Sequence, residues 1–131
     1  MPLGTSPSVL LVDDNAIQIA TRKAILEHAG LRVLVASDGA AALNLLSNPS
    51  RTENIGLVFS DHLMPGMSGP ELVREIRQRG LDFPIVVLSG FPDAEAAYQD
   101  LRVTFRTKPF PPDSLIALAH ELLGQCMRRS P

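Results

Sequence analysis

Val9-Leu-Leu-Val12, followed at once by Asp13-Asp14-Asn15, is the stretch on which the reading of this chain turns. Four apolar residues in a row suit a strand buried on both faces, as in a parallel sheet covered by helices. The acids that follow mark the point where that strand leaves the core. Working outward, four more short runs recur at Leu31 to Ala36, Ile55 to Ser60, Pro84 to Ser89 and Arg102 to Thr107. Helical stretches are predicted after them at about 15–29, 39–47, 69–79, 93–99 and 113–126, with Gly30 and Gly80 as C-terminal stops and Asp113 as an N-cap. Five β-α units in succession imply right-handed crossovers and a parallel sheet with helices on both faces, an α/β fold. Leu57 to Phe59 and Ile85 to Leu88 are also uninterrupted and belong mid-sheet, whereas Arg102-Val-Thr-Phe-Arg-Thr107 alternates and reads as an edge strand.

The 131 residues make one domain, expected over 8–126, between a linker at 1–7 and a C-terminal tail at 127–131. A chain of this length buries enough surface to fold without a disulfide or structural metal. The single cysteine, Cys126, excludes an internal disulfide and a Cys-based zinc site. Twelve basic and fourteen acidic side chains give a net charge of -2, without the basic excess of a nucleic-acid binder. No apolar run approaches the roughly 18 residues of a membrane helix, and Met1 to Ser8 lacks the regions of a signal peptide. The expectation is a cytoplasmic monomer that by itself engages neither nucleic acid nor membrane.

Residues capable of chemistry collect at the carboxyl ends of these runs. Asp13 and Asp14 follow the first, Asp61 follows the third, Ser89 ends the fourth and Lys108 follows the fifth. Open α/β sheets bind ligands in the crevice outside those ends. Taken singly, each residue fits a helix cap, a turn or a surface charge; taken together they describe a site. Carboxylates about 4 Å apart repel by roughly 4 kcal/mol per pair at an effective dielectric near 20, so a cation is required. A hard divalent ion such as Mg²⁺, held by carboxylates, water and a phosphate oxygen, meets that need. Lys108 adds a compact charge suited to a phosphoryl group. The residues thus point to a Mg²⁺-dependent site for phosphoryl transfer, with Asp61 as its natural nucleophile.

Val12-Asp-Asp-Asn15, Asp61-His-Leu-Met-Pro-Gly-Met-Ser-Gly69, Val87-Leu-Ser-Gly90 and Lys108-Pro-Phe110 resemble, in order and spacing, the motifs of the receiver domain of bacterial two-component response regulators. The resemblance runs from about residue 8 to 125. It implies a flavodoxin-like (βα)5 fold with a five-stranded parallel sheet of order 2-1-3-4-5. It further implies a phosphorelay module in which Asp61 accepts a phosphoryl group from the phosphohistidine of a histidine kinase or a histidine phosphotransfer domain and passes the signal to a separate effector. Asp14, Asp13, Asp61 and the backbone carbonyl of Leu63 would hold Mg²⁺, with Mn²⁺ as a substitute. Ser89 and Lys108 would bind phosphoryl oxygens, Phe105 would be the aromatic switch, and Pro109 would follow a cis peptide bond. Such a domain is a phosphoacceptor switch, not an enzyme acting on a separate substrate.

Ser89 and Lys108 lie 108 − 89 = 19 positions apart, which makes the fourth helical stretch short. With Gly66-Met-Ser-Gly-Pro-Glu-Leu72 and Ser89-Gly-Phe91, this compactness resembles receivers of hybrid sensor histidine kinases, with single-domain response regulators next. In the first helix, Ile19 and Leu26 form a second apolar side apart from Ile25 and Ala29; beside Asn15 and Ala16 they are the expected partner-docking surface. His62 is assigned no role. Other readings are an aspartyl-phosphate phosphohydrolase of haloacid-dehalogenase-like type, a flavodoxin-like cofactor binder and a degenerate receiver that serves only as an interaction module. The first requires a second acid where Leu63 stands. The second requires a Ser/Thr/Gly-rich phosphate loop after the first strand, where Asp13 and Asp14 would repel a flavin phosphate.

Overall fold

The computed structural model describes residues 7–48 and 55–129, with side chains through Gly124. Met1 to Ser6, the end of the tail at 130–131 and the side chain of Cys126 lie outside the described residues. The strands are β1 (Ser8–Val12), β2 (Arg32–Ala36), β3 (Ile55–Asp61), β4 (Ile85–Ser89) and β5 (Thr104–Thr107). The helices are α1 (Ala16–His28), α2 (Gly39–Leu46), α3 (Gly69–Gln78) and α4 (Pro112–Arg129), with a 3₁₀ helix at Pro92–Tyr98. All pairings are parallel and the sheet order is β2-β1-β3-β4-β5, as the resemblance implied.

The uninterrupted runs occupy the three central strands because both of their faces are covered. Leu10, Val12, Val58, Ile85 and Val87 pack with Leu43 and Leu46 of α2 and Leu72 and Ile76 of α3. Their neighbours Val9, Leu11, Leu57, Phe59, Val86 and Leu88 pack on the other face against Leu26 of α1 and Leu115, Leu118 and Leu122 of α4. β2 and β5 are the edges, and both are more open than the central strands, with Arg32 and Val35 exposed on β2 and Arg106 and Thr107 on β5.

Several local expectations need correction. The fourth helical stretch is a 3₁₀ helix over Pro92–Tyr98, the form the chain adopts in short pieces where a longer α-helix does not fit. β5 begins at Thr104, not at residue 102, because Arg102 (φ 58°), like Asp100 (φ 67°), is left-handed and cannot continue a strand. The guanidinium of Arg77 secures that bend by donating to the carbonyls of Leu81, Phe83, Leu101 and Arg102. Asp113 lies inside the first turn of α4, where its charge complements the helix dipole, instead of capping it. α4 continues to Arg129, past the expected boundary at 126. Asp61 is the last residue of β3 and pairs with Leu88 of β4, so it is fixed by the sheet itself.

Leu26 is fully buried and cannot be a docking residue. At about 100° per residue, Ile19, Leu26, Ala29 and Ile25 share one arc of about 120°, a single broad stripe that faces the sheet. Ile17 falls outside that arc and is 79% exposed. Leu26→Ala is therefore expected to destabilise the fold by about 2–5 kcal/mol in urea unfolding, the cost of a core cavity. A surface position would change stability by about 0.5 kcal/mol or less.

Candidate functional site

Each site residue is placed by the end of a strand. The backbone N–H of Asp13 bonds the Ala36 carbonyl at 3.2 Å, extending the β1–β2 ladder by one residue and holding Asp13 at the sheet's carboxyl edge. The N–H of His62 donates to the Leu88 carbonyl (3.0 Å), which does the same for Asp61 from β3. Lys108 is fixed by its N–H to the Ser89 carbonyl at 2.7 Å, and the Lys108–Pro109 peptide is cis.

These ends bring Asp13, Asp14 and Asp61 together, with one carboxylate oxygen of each within 4.8 Å of the others. Asp13 and Asp61 are buried and Asp14 is exposed at the mouth. The donor set is all oxygen, the chemistry of a hard divalent cation. Burial, and then the charge of Asp61, hold the Asp13 carboxyl above its ordinary range; the Asn15 N–H and the Arg22 and Lys108 charges act the other way. With three carboxylates against the Arg22 and Lys108 charges, the cluster holds more negative charge than its own cations offset. Lys108 Nζ lies 2.5 Å from Asp61 Oδ1 and 3.3 Å from Gln18 Oε1.

A small pocket opens beside this pair, lined by Asp61, His62, Leu63, Ser89, Gly90, Phe91 and Lys108. Ser89 is buried, and its hydroxyl accepts from the Phe91 N–H (2.9 Å) while donating to the Phe91 carbonyl (3.3 Å), a closed local turn. The Leu63 side chain and the Phe91 ring are each 58% exposed at the rim. Phe105 is half-buried outside the pocket, its ring 6.0 Å from that of Tyr98. Asn15 caps α1, its side chain accepting from the Gln18 N–H at 3.0 Å, and Ala16 is exposed beside it.

The structure adds residues that sequence reasoning passed over. Tyr98, at the end of the 3₁₀ helix, is buried, and its hydroxyl lies 2.6 Å from His62 Nδ1. Burial, and then the charge of Asp61, raise the phenol above its ordinary range, so it stays protonated, and its hydroxyl shares a hydrogen bond with His62 Nδ1. Gly69 makes the room: a Cβ there would lie 2.1 Å from the Tyr98 hydroxyl. Nothing in the sequence around Tyr98 marks it. Gln18 and Arg22 were legible in principle, as an i, i+4 pair opening a helix directly after two acids.

A family model described as the response regulator receiver domain matches residues 9–120. The C4-dicarboxylate transport transcriptional regulatory protein DctD of Pseudomonas aeruginosa is 32% identical over 118 residues, covering 88% of this chain and 25% of that protein. The sensor histidine kinase GacS of Pseudomonas protegens is 34% identical over 131 residues, covering 94% of this chain and 14% of that protein. A CheY-like response regulator receiver domain protein from Methanospirillum hungatei superposes with a TM-score of 0.80 at 30% identity, covering 95% of this chain and 99% of that one. The chain therefore spans a small part of these two curated relatives and nearly all of the solved receiver.

The raised Asp13 pKa has a definite sign in stability. A carboxyl whose folded pKa exceeds its unfolded one favours folding below the unfolded value, and that contribution is lost as pH rises through the folded value. Asp13→Asn, without added metal, is expected to melt a few degrees above wild type at pH 7 and to lose that advantage below the ordinary carboxylate range. Thermal melts across pH check this; an advantage that persists unchanged at low pH contradicts it.

Proposed function

Since the chain belongs to the response regulator receiver domain family, whose members are phosphorylated on an aspartate in two-component signalling, we propose that Asp61 is the phosphoacceptor of this chain. The observation that carries the assignment is the 2.5 Å ion pair between Asp61 Oδ1 and Lys108 Nζ at the floor of the open pocket. Asp13, Asp14, Asp61 and the backbone carbonyl of Leu63 would hold Mg²⁺, or Mn²⁺ in its place. The fit rests on the oxygen-only cluster and on its excess of three carboxylates over two cations. Bound there, the ion would offset charge on the phosphoryl oxygens.

In the transfer a carboxylate oxygen of Asp61 attacks phosphorus in line. The bond from phosphorus to the donor imidazole nitrogen breaks, and the imidazole leaves with the electron pair and takes a proton from solvent. Because the sheet fixes Asp61 and the lysine is already beside it, the chain supplies positioning and charge, which this reaction chiefly needs. Lys108 then pairs with a phosphoryl oxygen. The Ser89 hydroxyl leaves its turn with Phe91 for another, and Phe105 reorients against Tyr98. The chain catalyses only its own phosphorylation and dephosphorylation. A haloacid-dehalogenase-like hydrolysis is disfavoured by Leu63, which stands where a second acid would have to be and turns its side chain outward.

Receiver domains interact with histidine kinases or phosphotransfer proteins and with downstream effectors. Here the donor docks beside the pocket, on Asn15, Ala16 and the half-buried Ile19, extended by the exposed Ile17 and the groove that Thr21, Ile25, Phe110 and Pro112 line. That groove is apolar and borders the Asp13–Arg22 pair, so a donor helix seated there brings its histidine to the site. Among the described residues no helix is long and apolar enough to cross a membrane. The domain, spanning residue 8 to the end of α4, acts in the cytoplasm as part of a sensor histidine kinase or as a single-domain regulator.

Incubation with Mg²⁺ and acetyl phosphate is expected to add one labile phosphoryl group by intact mass, lost with a chelator and in Asp61→Asn. No adduct on folded wild type contradicts the assignment. Lys108→Ala is expected to keep much of the phosphorylation while losing the accompanying shift of the Phe105 and Tyr98 resonances; an undiminished shift contradicts the role given to Lys108.

A further inference from the structure

Arg22 is a cation that the phosphoacceptor chemistry does not use. Its Nη1 lies 2.9 Å from Asp13 Oδ2, and the two side chains are 16% and 2% exposed. Asp13 Oδ1 accepts the N–H of Asn15 at 2.9 Å, so both oxygens of Asp13 are already engaged. The other end of the guanidinium, Nη2, donates to Gln18 Oε1 (3.1 Å), the same oxygen that Lys108 Nζ reaches at 3.3 Å. One glutamine amide thus joins both cations of the site, and a continuous path runs Asp13, Arg22, Gln18, Lys108, Asp61. With three carboxylates and Lys108 alone the cluster would carry -3 + 1 = -2; Arg22 brings it to -1.

We infer that Arg22 is a resident counter-cation of the acidic pocket, which weakens divalent-metal binding by occupying Asp13. The inference rests on the reading of Asp13, Asp14 and Asp61 as a Mg²⁺ site. Physically, a divalent ion entering the pocket meets a fixed positive charge well inside one Debye length and gains less from Asp13, whose oxygens are shared. Arg22 is anchored from a neighbouring turn of α1 and is nearly buried, so screening by salt removes only part of the effect. Arg22 also lines the groove between α1 and the start of α4. Metal uptake that loosens the Asp13–Arg22 pair therefore alters that groove.

The test is calorimetric titration of Mg²⁺ into the full, unphosphorylated chain at pH 8, for wild type, Arg22→Ala, Arg22→Gln and Arg22→Lys, with circular dichroism melts to confirm folding. Arg22→Ala and Arg22→Gln are expected to bind Mg²⁺ on the order of tenfold more tightly than wild type, as loss of a unit charge close to a divalent ion implies. Arg22→Lys, which keeps the charge, is expected to stay near wild type. Unchanged or weaker binding in both neutral variants overturns the inference while leaving the metal site standing. Tightening in Arg22→Lys equal to that in Arg22→Ala also overturns it, because charge would then not be the cause. If neither wild type nor the neutral variants take up Mg²⁺, the metal site itself falls, and the inference with it.

Discussion

Like charge gathered at one edge of a sheet is the constraint from which the rest of this molecule follows. Asp13 and Asp61 end adjacent central strands, each held by backbone hydrogen bonds to its neighbour, so they cannot move apart without breaking the ladder. Their mutual repulsion and partial desolvation must be offset by charges brought from elsewhere in the chain. Lys108 is brought by β5, and Arg22 by the second turn of α1. The core is built to hold this arrangement: two apolar layers, one on each face, clamp the three central strands.

The same constraint explains why the site is poised. Offsetting is incomplete, since three carboxylates face two cations, so the pocket favours additional positive charge. The partners of the reacting groups are local and weak enough to be exchanged. The Ser89 hydroxyl is bonded only within its own turn among the interactions described, and the Lys108 ammonium divides its contacts between Asp61 and Gln18. Beneath them His62, Tyr98 and Phe105 form a contiguous aromatic path from the residue after Asp61 to the edge strand. Tyr98 depends on the absence of a side chain at Gly69, which ties the loop after β3 to the 3₁₀ helix.

Much of this was legible in the sequence, for reasons that can be named. Doubly buried strands must be uninterrupted in apolar residues, so the three central strands and the parallel sheet were visible, and with them the convergence of Asp13, Asp14, Asp61, Ser89 and Lys108. The sheet order came only from the resemblance. What stayed hidden depends on contacts between segments. The left-handed Arg102 gives no sign of the Arg77 clamp that secures its bend, and Tyr98 sits in a stretch without periodicity. Leu26 was misplaced because four apolar positions of α1 were divided between two sides when they form one wide stripe. Ile17, the side chain that does project, lay next to them unremarked.

The central claim is that the phosphoryl group is carried by Asp61 and by no other carboxylate of the cluster. Borohydride reduces an acyl phosphate to an alcohol, turning a phosphorylated aspartate into homoserine that peptide mass spectrometry can place. After phosphorylation with Mg²⁺ and acetyl phosphate, homoserine at position 61 alone is the predicted result. Homoserine at Asp13 or Asp14 would contradict the account.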